Sequence, residues 1–309
     1  MDRPGVLHGR LVYARRPPHL RARIGVGIGT ERQSHRMTKA AIAMFLAAAA
    51  MAGAQSAPSP ALEGIAHAAF RVADVGKARE FYKTLGFEEA FSFADPGKAP
   101  VSYIKINDRQ FVELYGRIAD SQPLGLMHLC FEAGDIEALH QEYAHRSLEP
   151  PPPVKARAGN MLFSIHDPEG QLLEYTMYLP GSLHSVDRGK HLSERRVAER
   201  LIVASMTVKD VAAEQTFFTE KLGFEDVGGD NSKRRLRLPG KSEDEIELEA
   251  ASVAKPHIAF AVADVERTAT KLRARGLAVG QRDAELFITD PDGVMLIFRA
   301  AASRPDRGD

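Results

Sequence analysis

The sequence holds one cysteine, Cys130, among 309 residues, and no tryptophan. A single thiol excludes an internal disulfide framework and any cysteine-rich zinc module. Net charge is absent too: 41 Lys and Arg balance 41 Asp and Glu. The balance hides an asymmetry. Residues 1–54 carry nine basic and two acidic side chains, which leaves 32 basic against 39 acidic for the rest. An acidic body lacks the clustered Lys and Arg that neutralise phosphates, so nucleic acid is excluded as the main partner. No apolar run reaches the roughly 20 residues that a membrane span needs. Apolar residues at 44% and charged residues at 27% exclude a fibrous or wholly disordered chain. The length suits two domains of roughly 150 residues each.

The positive charge sits ahead of the expected fold. Residues 1–36 are Arg-rich, with Pro and Gly and no sustained periodicity. They read as an upstream extension, with the true start at Met37. From there the pattern changes to Thr38, Lys39, an apolar run Ala40–Ala52, and then Ala52-Gly53-Ala54. A positive start, a short apolar run and a small-x-small cleavage site spell a secretory signal peptide over 37–54. No cysteine lies near the cleavage site, which excludes a lipoprotein. The mature chain then begins near Gln55. It is expected to be exported, periplasmic or secreted, with no stable membrane anchor after cleavage. A basic arm ahead of a membrane anchor is the alternative.

The remaining chain repeats itself. Four strand-like runs end in Asp seven residues after their first position. They run from His67 to Asp74, His128 to Asp135, Val203 to Asp210 and His257 to Asp264. Asp is a good N-cap, because its carboxylate accepts the free N–H groups of a first helical turn. Helices are predicted over Val75–Thr84, Ile136–Arg146, Val211–Lys221 and Val265–Arg275. The first and third run into Leu85-Gly86-Phe87 and Leu222-Gly223-Phe224, where Gly suits a helix end. A second landmark is Asp167-Pro168-Glu169-Gly170 against Asp290-Pro291-Asp292-Gly293, a tight-turn signature leading into an apolar strand. Each unit therefore reads strand, helix, then two or three strands. The fold class is α+β, with four βαβββ units pairing into domains over 63–180 and 200–300. The polar segment 181–199 reads as a linker.

The chemistry concentrates in the first domain. His67 opens one strand and Glu113 follows 46 residues later; His128 opens the matching strand and Glu174 again follows 46 residues later. If the units pair about a pseudo-twofold axis, all four side chains converge. Phe111, Glu113 and Tyr115 share a strand face, as do Leu172, Glu174 and Thr176. A carboxylate between apolar neighbours is costly to bury unless it is paired or binds a metal. Two imidazoles and two carboxylates suit a divalent first-row ion: Ni, Co, Zn, Fe or Mn. The second domain departs from this pattern. Val203 stands in the place of His67 and Ile297 in the place of Glu174, leaving only Glu247 and His257. It is expected to be metal-free. Cys130 shares a strand face with His128, and a small buried thiol is its commoner role. Arg71 is a candidate for holding an anionic group or a rim salt bridge. Tyr103, Lys105, Tyr115 and Tyr175 are undecided, His166 is expected to be exposed, and His184 and His191 fall in the linker. Arg267, Lys271, Arg273 and Arg275 read as a solvated helix face.

The four-unit plan, the His-x6-Asp openings, Leu-Gly-Phe and the Asp-Pro-x-Gly…Glu ending resemble the vicinal oxygen chelate superfamily. This is the group of glyoxalase I, extradiol dioxygenases, methylmalonyl-CoA epimerase and fosfomycin-resistance enzymes. The resemblance covers about 63–300. It implies metal ligands at His67, Glu113, His128 and Glu174, the set of glyoxalase I type. It also implies bidentate chelation of a small substrate through vicinal oxygens, with the metal as Lewis acid. Glu174, or Glu113 by symmetry, would then move a proton between adjacent carbons, which is isomerase or lyase chemistry. Extradiol dioxygenases use two His and one carboxylate; in that reading His67, His128 and Glu174 bind iron and Glu113 is a neighbour. A third reading is a non-catalytic small-molecule binder of the bleomycin-resistance type. Units in this superfamily pair within one chain or between chains, so a homodimer stays open.

Overall fold

The computed structural model describes residues 61–300. The expected upstream extension (1–36) and signal peptide (37–54) lie outside the described residues. No helix among the described residues is long and apolar enough to cross a membrane.

Each of the four repeats opens with a strand that an aspartate hands over to a helix. In the first domain these are β1 (Leu62–Val72) and α1 (Val75–Thr84), then β5 (Gly125–Ala133) and α2 (Ile136–His145). Asp74 accepts from the Lys77 N–H at 3.0 Å, and Asp135 accepts from those of Glu137 and Ala138. Three strands follow each helix: β2 (Glu88–Phe93), β3 (Val101–Lys105) and β4 (Phe111–Gly116), then β6 (Val154–Lys155), β7 (Met161–His166) and β8 (Leu172–Met177). A short helix α3 (Leu183–Val186) lies in the connection between domains. The second domain repeats the plan. It comprises β9 (Arg200–Val208), α4 (Val211–Thr216), β10 (Glu225–Gly229), β11 (Lys233–Arg237), β12 (Glu245–Ala250), β13 (His257–Val262), α5 (Val265–Ala274), β14 (Gly280–Arg282), β15 (Glu285–Thr289) and β16 (Met295–Ala300).

Each domain is one eight-stranded mixed sheet. The orders are β2-β3-β4-β1-β5-β8-β7-β6 and β10-β11-β12-β9-β13-β16-β15-β14. The opening strands of paired units lie side by side and antiparallel, β1 against β5 and β9 against β13. Each also pairs in parallel with the last strand of its own unit, so His67 is level with Phe111 and Cys130 with Glu174. Opening and closing strands thus meet at the centre of the sheet, where the pseudo-twofold axis passes.

Strand alternation sorts the side chains onto two faces. Ala68, Phe70, Val72, Val112, Leu114, Leu129, Phe131, Leu173 and Tyr175 join the main core with the helices. Tyr175 therefore belongs to that core, stacked on Phe163. The opposite face of the first sheet carries His67, Glu113, His128 and Glu174, among a smaller cluster that includes Tyr103, Phe111, Cys130 and Tyr178.

The domains are stitched by reciprocal turns. Glu169 of the first Asp-Pro turn accepts from the N–H groups of Lys209 and Asp210 at 2.6 and 2.9 Å. Asp292 of the second accepts from the Ala73 N–H at 2.8 Å. Gly86 has φ +85°, and a Cβ there would meet the Arg195 carbonyl, so the helix end needs glycine on two counts. Arg275 donates to the carbonyls of Thr84 and Arg195, so this one member of the basic row on α5 is a domain contact rather than a solvated charge.

Candidate metal centre

His67 and His128 lie on adjacent antiparallel strands, and the closing strand β8 brings Glu174 beside them. Their Nε2 atoms are 3.0 Å apart. Glu174 Oε2 is 3.8 Å from His67 Nε2 and 3.5 Å from His128 Nε2. Two imidazole nitrogens each about 2.1 Å from an ion, at right angles, stand about 3 Å apart. The observed pair fits that spacing, and His67, His128 and Glu174 form a group able to hold a metal ion.

Glu113 is placed differently. Its Oε1 lies 3.2 Å from His67 Nδ1, on the far side of the ring from the other donors. Its Oε2 accepts from the Tyr115 hydroxyl at 3.0 Å. The hydrogen-bond geometry at Nδ1 is not met, so His67 Nδ1 counts as a buried atom without a formal partner; the 3.2 Å approach is still that of an orienting carboxylate. The structure thus brings together three of the four expected ligands and sets Glu113 behind one of them.

Electrostatics separates this group from its counterpart. Burial, with His128 and His184 nearby, holds His67 well below the usual imidazole range, and burial brings His128 down to about 4. Burial thus favours the neutral form of both rings, the form that ligates. Burial raises Glu174 to about 7, and burial with the Glu174 charge holds Glu113 well above the usual carboxylate range. Burial makes both carboxylates costly to ionise, and a bound cation would offset that cost.

In the second domain, Glu247, Glu249 and His257 also cluster. There the cation is the protein's own. The Lys233 ammonium lies 2.5 Å from Glu247 and 3.1 Å from Glu249, and His257 Nε2 is 3.0 Å from Glu247. Although burial pulls the other way, hydrogen bonds from His257 and Lys233 bring Glu247 down to about 2. This group is internally neutralised. Glu249, which sequence reasoning passed over, is visible in hindsight as the last of the alternating Glu245, Glu247 and Glu249. Their partners Lys233, Arg235 and Arg237 alternate on β11.

The remaining candidates fall into place by contact. Arg71 donates to the Pro123 carbonyl at 3.1 Å. Tyr103 stacks on Phe91, with centroids 4.3 Å apart. Cys130 is fully buried and His166 is exposed. Lys105 is fully buried, within 2.8 Å of both Asp108 and Asp187. His191 pairs with Asp187 at 2.6 Å. His184, expected in the linker, is buried among Phe91, Tyr103, Phe111 and Tyr178. A separate cleft of about 510 Å³ is lined by Arg109, Glu132, Arg200 and Asp244 and contains none of the clustered donors. Arg109 is paired there with Glu132 and Arg200 with Asp244.

Comparison with known proteins gives the same outline. Solved structures of similar fold include an extradiol ring-cleaving dioxygenase from Brevibacterium fuscum, 18% identical, with TM-score 0.60 over 82% of this chain and 76% of that one. Homoprotocatechuate 2,3-dioxygenase from Arthrobacter globiformis is 17% identical, TM-score 0.60, over 82% and 85%. The Mn(II)-bound glyoxalase from Novosphingobium aromaticivorans is 18% identical, TM-score 0.58, over 77% and 82%. At these identities the likeness is one of fold. No curated protein matches the chain. A family model matches residues 64–175 and 200–298, more than half of the sequence. The chain belongs to the Glyoxalase/Bleomycin resistance protein/Dioxygenase superfamily.

Proposed function

We propose that the first domain is a metal-dependent active site of extradiol dioxygenase type, holding one divalent ion through His67, His128 and Glu174. One observation carries the choice: Glu113 stands behind His67 instead of beside the other three donors. Two His and one carboxylate with open positions is the ligand set of non-haem Fe(II) oxygenases. A bound ion would supply Lewis acidity and sites for a substrate's vicinal oxygens and for dioxygen.

The chain's own residues do the rest. The neutral imidazoles present lone pairs, and Glu113 orients His67 from Nδ1, itself held by Tyr115. A carboxylate behind a ligating His fixes its tautomer and ring plane. Glu174, which burial raises to about 7, would release its proton to ligate such an ion. Phe91, Phe93, Tyr103, Phe111 and Tyr115 line the same sheet face and exclude water from a flat ring. The substrate class is a small aromatic with adjacent hydroxyls, whose ring opens beside the diol as both atoms of dioxygen enter the product. Export to the periplasm or medium, supported by the 37–54 segment alone, suits an enzyme that needs no glutathione.

The isomerase or lyase reading keeps one support. Glu113 is a buried carboxylate whose pKa is pushed up by burial and the Glu174 charge, and it stands behind the His67 imidazole. The test is oxygen uptake by Fe(II)-loaded protein with a series of catechols. Uptake in proportion to a ring-opened product supports the dioxygenase reading. Metal-dependent turnover of a vicinal-oxygen substrate without oxygen uptake overturns it for the isomerase reading.

A further inference from the structure

His184 sits on α3, in the connection between the domains. The segment is pinned to the first sheet. The Leu183 N–H donates to the Ala158 carbonyl at 2.8 Å. The Lys105 ammonium donates to the Asp187 carbonyl at 2.6 Å and to its carboxylate at 2.8 Å. The Gly189 N–H donates to Asp108 at 2.8 Å. A fully buried lysine with two aspartates makes this segment a wall of the first domain rather than a loose connection.

The wall delivers an imidazole into an aromatic cage. The His184 ring stacks on Tyr178, with centroids 4.6 Å apart, and meets Phe111 and Phe91 edge-on at 4.9 and 5.0 Å. Phe111 is the register partner of His67, and Tyr103, 5.6 Å from His184, is that of Glu113. The ring therefore abuts the sheet face that carries the metal donors.

Neither ring nitrogen of His184 has a hydrogen-bond partner, although the residue is only 3% exposed. A buried polar atom without a partner loses its hydration and gains nothing in return. Phenylalanine would fill the same cage without that cost. Burial brings His184 down to about 4, against the pull of Asp187, so the ring is neutral and offers one donor and one acceptor.

We propose that His184 is a substrate-contacting residue: a ring nitrogen hydrogen-bonds a polar group of the ligand chelated beside His67, His128 and Glu174. This assignment rests on the functional reading above. It makes the inter-domain wall a specificity element, selecting a flat ring that carries a further oxygen or nitrogen substituent.

The test uses the full chain loaded with Mn(II) and titrated with 4-nitrocatechol, followed by absorbance, beside His184→Phe and His184→Gln. The expected result has three parts. All three proteins hold equal metal. His184→Phe melts at or above the wild-type temperature yet binds the probe about tenfold more weakly or worse. His184→Gln, which keeps a donor and an acceptor, binds more tightly than His184→Phe. A purely structural histidine gives the opposite pattern, with lower melting temperatures and unchanged probe affinity in whichever variant folds; that overturns the assignment and leaves the functional reading standing. Wild-type protein that loads metal but binds no probe overturns both.

Discussion

At the residue scale, the first domain turns on where one carboxylate points. Glu113 shares its strand face with Tyr115 and its level with Ala69, so the backbone places it near His67 by necessity. Its side chain faces His67 Nδ1, not Nε2. Glu113→Gln is expected to retain one equivalent of metal with affinity reduced 10–100-fold, roughly the effect of losing a partner behind a ligating His. Elemental analysis and a competitive chelator titration check it. If Glu113→Gln holds no metal under saturating conditions, Glu113 is a ligand. Glu174 gives a pH signature. Its carboxyl titrates near 7 in the metal-free fold against an ordinary value of 4.5, with burial as the cause. The unfolded chain gives up this proton first, so Glu174 costs the metal-free fold stability as pH rises from 4.5 to 7. Below 7 an incoming cation must displace that proton. Metal affinity should therefore climb with pH up to about 7 and level off above it. Calorimetric titration across that range tests this, and a flat affinity from pH 5 to 8 would contradict it.

At the element scale, much was legible because the signals are local. An Asp seven residues into each strand caps a helix in all four repeats, as an N-cap should. The equal spacing from each His to its Glu placed the donors on the strands that the sheet order then brought to the centre. Two features escaped. The helix expected to run regularly from Val211 to Lys221 widens after α4 into a π turn over Phe217–Lys221. The cause was in the sequence: Asp210 to Gly223 is one residue longer than Asp74 to Gly86, and a π turn absorbs one inserted residue. The connection 181–199 reads as a linker from its polar composition and does join the two sheets, but its close packing on the first one is not legible there. Its packing depends on Lys105 and Asp108, far away in sequence, and no local pattern reports such a contact. Lys105→Met tests the role of that element. Removing one partner of a buried ion pair should cost about 3 kcal/mol. Urea unfolding of the metal-free protein measures it, and limited proteolysis should find new cleavage within 181–191. A stability change under about 0.5 kcal/mol, the range of an ordinary surface substitution, would show that the wall is held by other contacts.

At the scale of the whole molecule, duplication has produced two sheets of one plan with opposite electrostatic fates. The first keeps neutral imidazoles and carboxylates that resist ionisation, a site that needs a cation. The second supplies its own cation in Lys233 and replaces the aromatic face of Tyr103, Phe111 and Tyr115 with Arg235, Glu245 and Glu249 at the equivalent strand positions. Sequence alone showed that two ligands were missing there. It did not show the substitute, because the lysine comes from a neighbouring strand. Lys233→Ala should expose Glu247, Glu249 and His257 to a divalent ion and raise metal content toward two equivalents. Unchanged stoichiometry would mean that the ammonium does not stand in for a metal.

One divalent ion held in the first domain by three donors implies a simple stoichiometry. It is tested most directly by elemental analysis of metal-reconstituted protein beside the His67→Ala/Glu174→Ala and Glu247→Ala/His257→Ala double variants. About one equivalent is expected in the wild type, none in the first variant and about one in the second. Metal that persists in the first variant and disappears from the second would place the centre in the second domain instead.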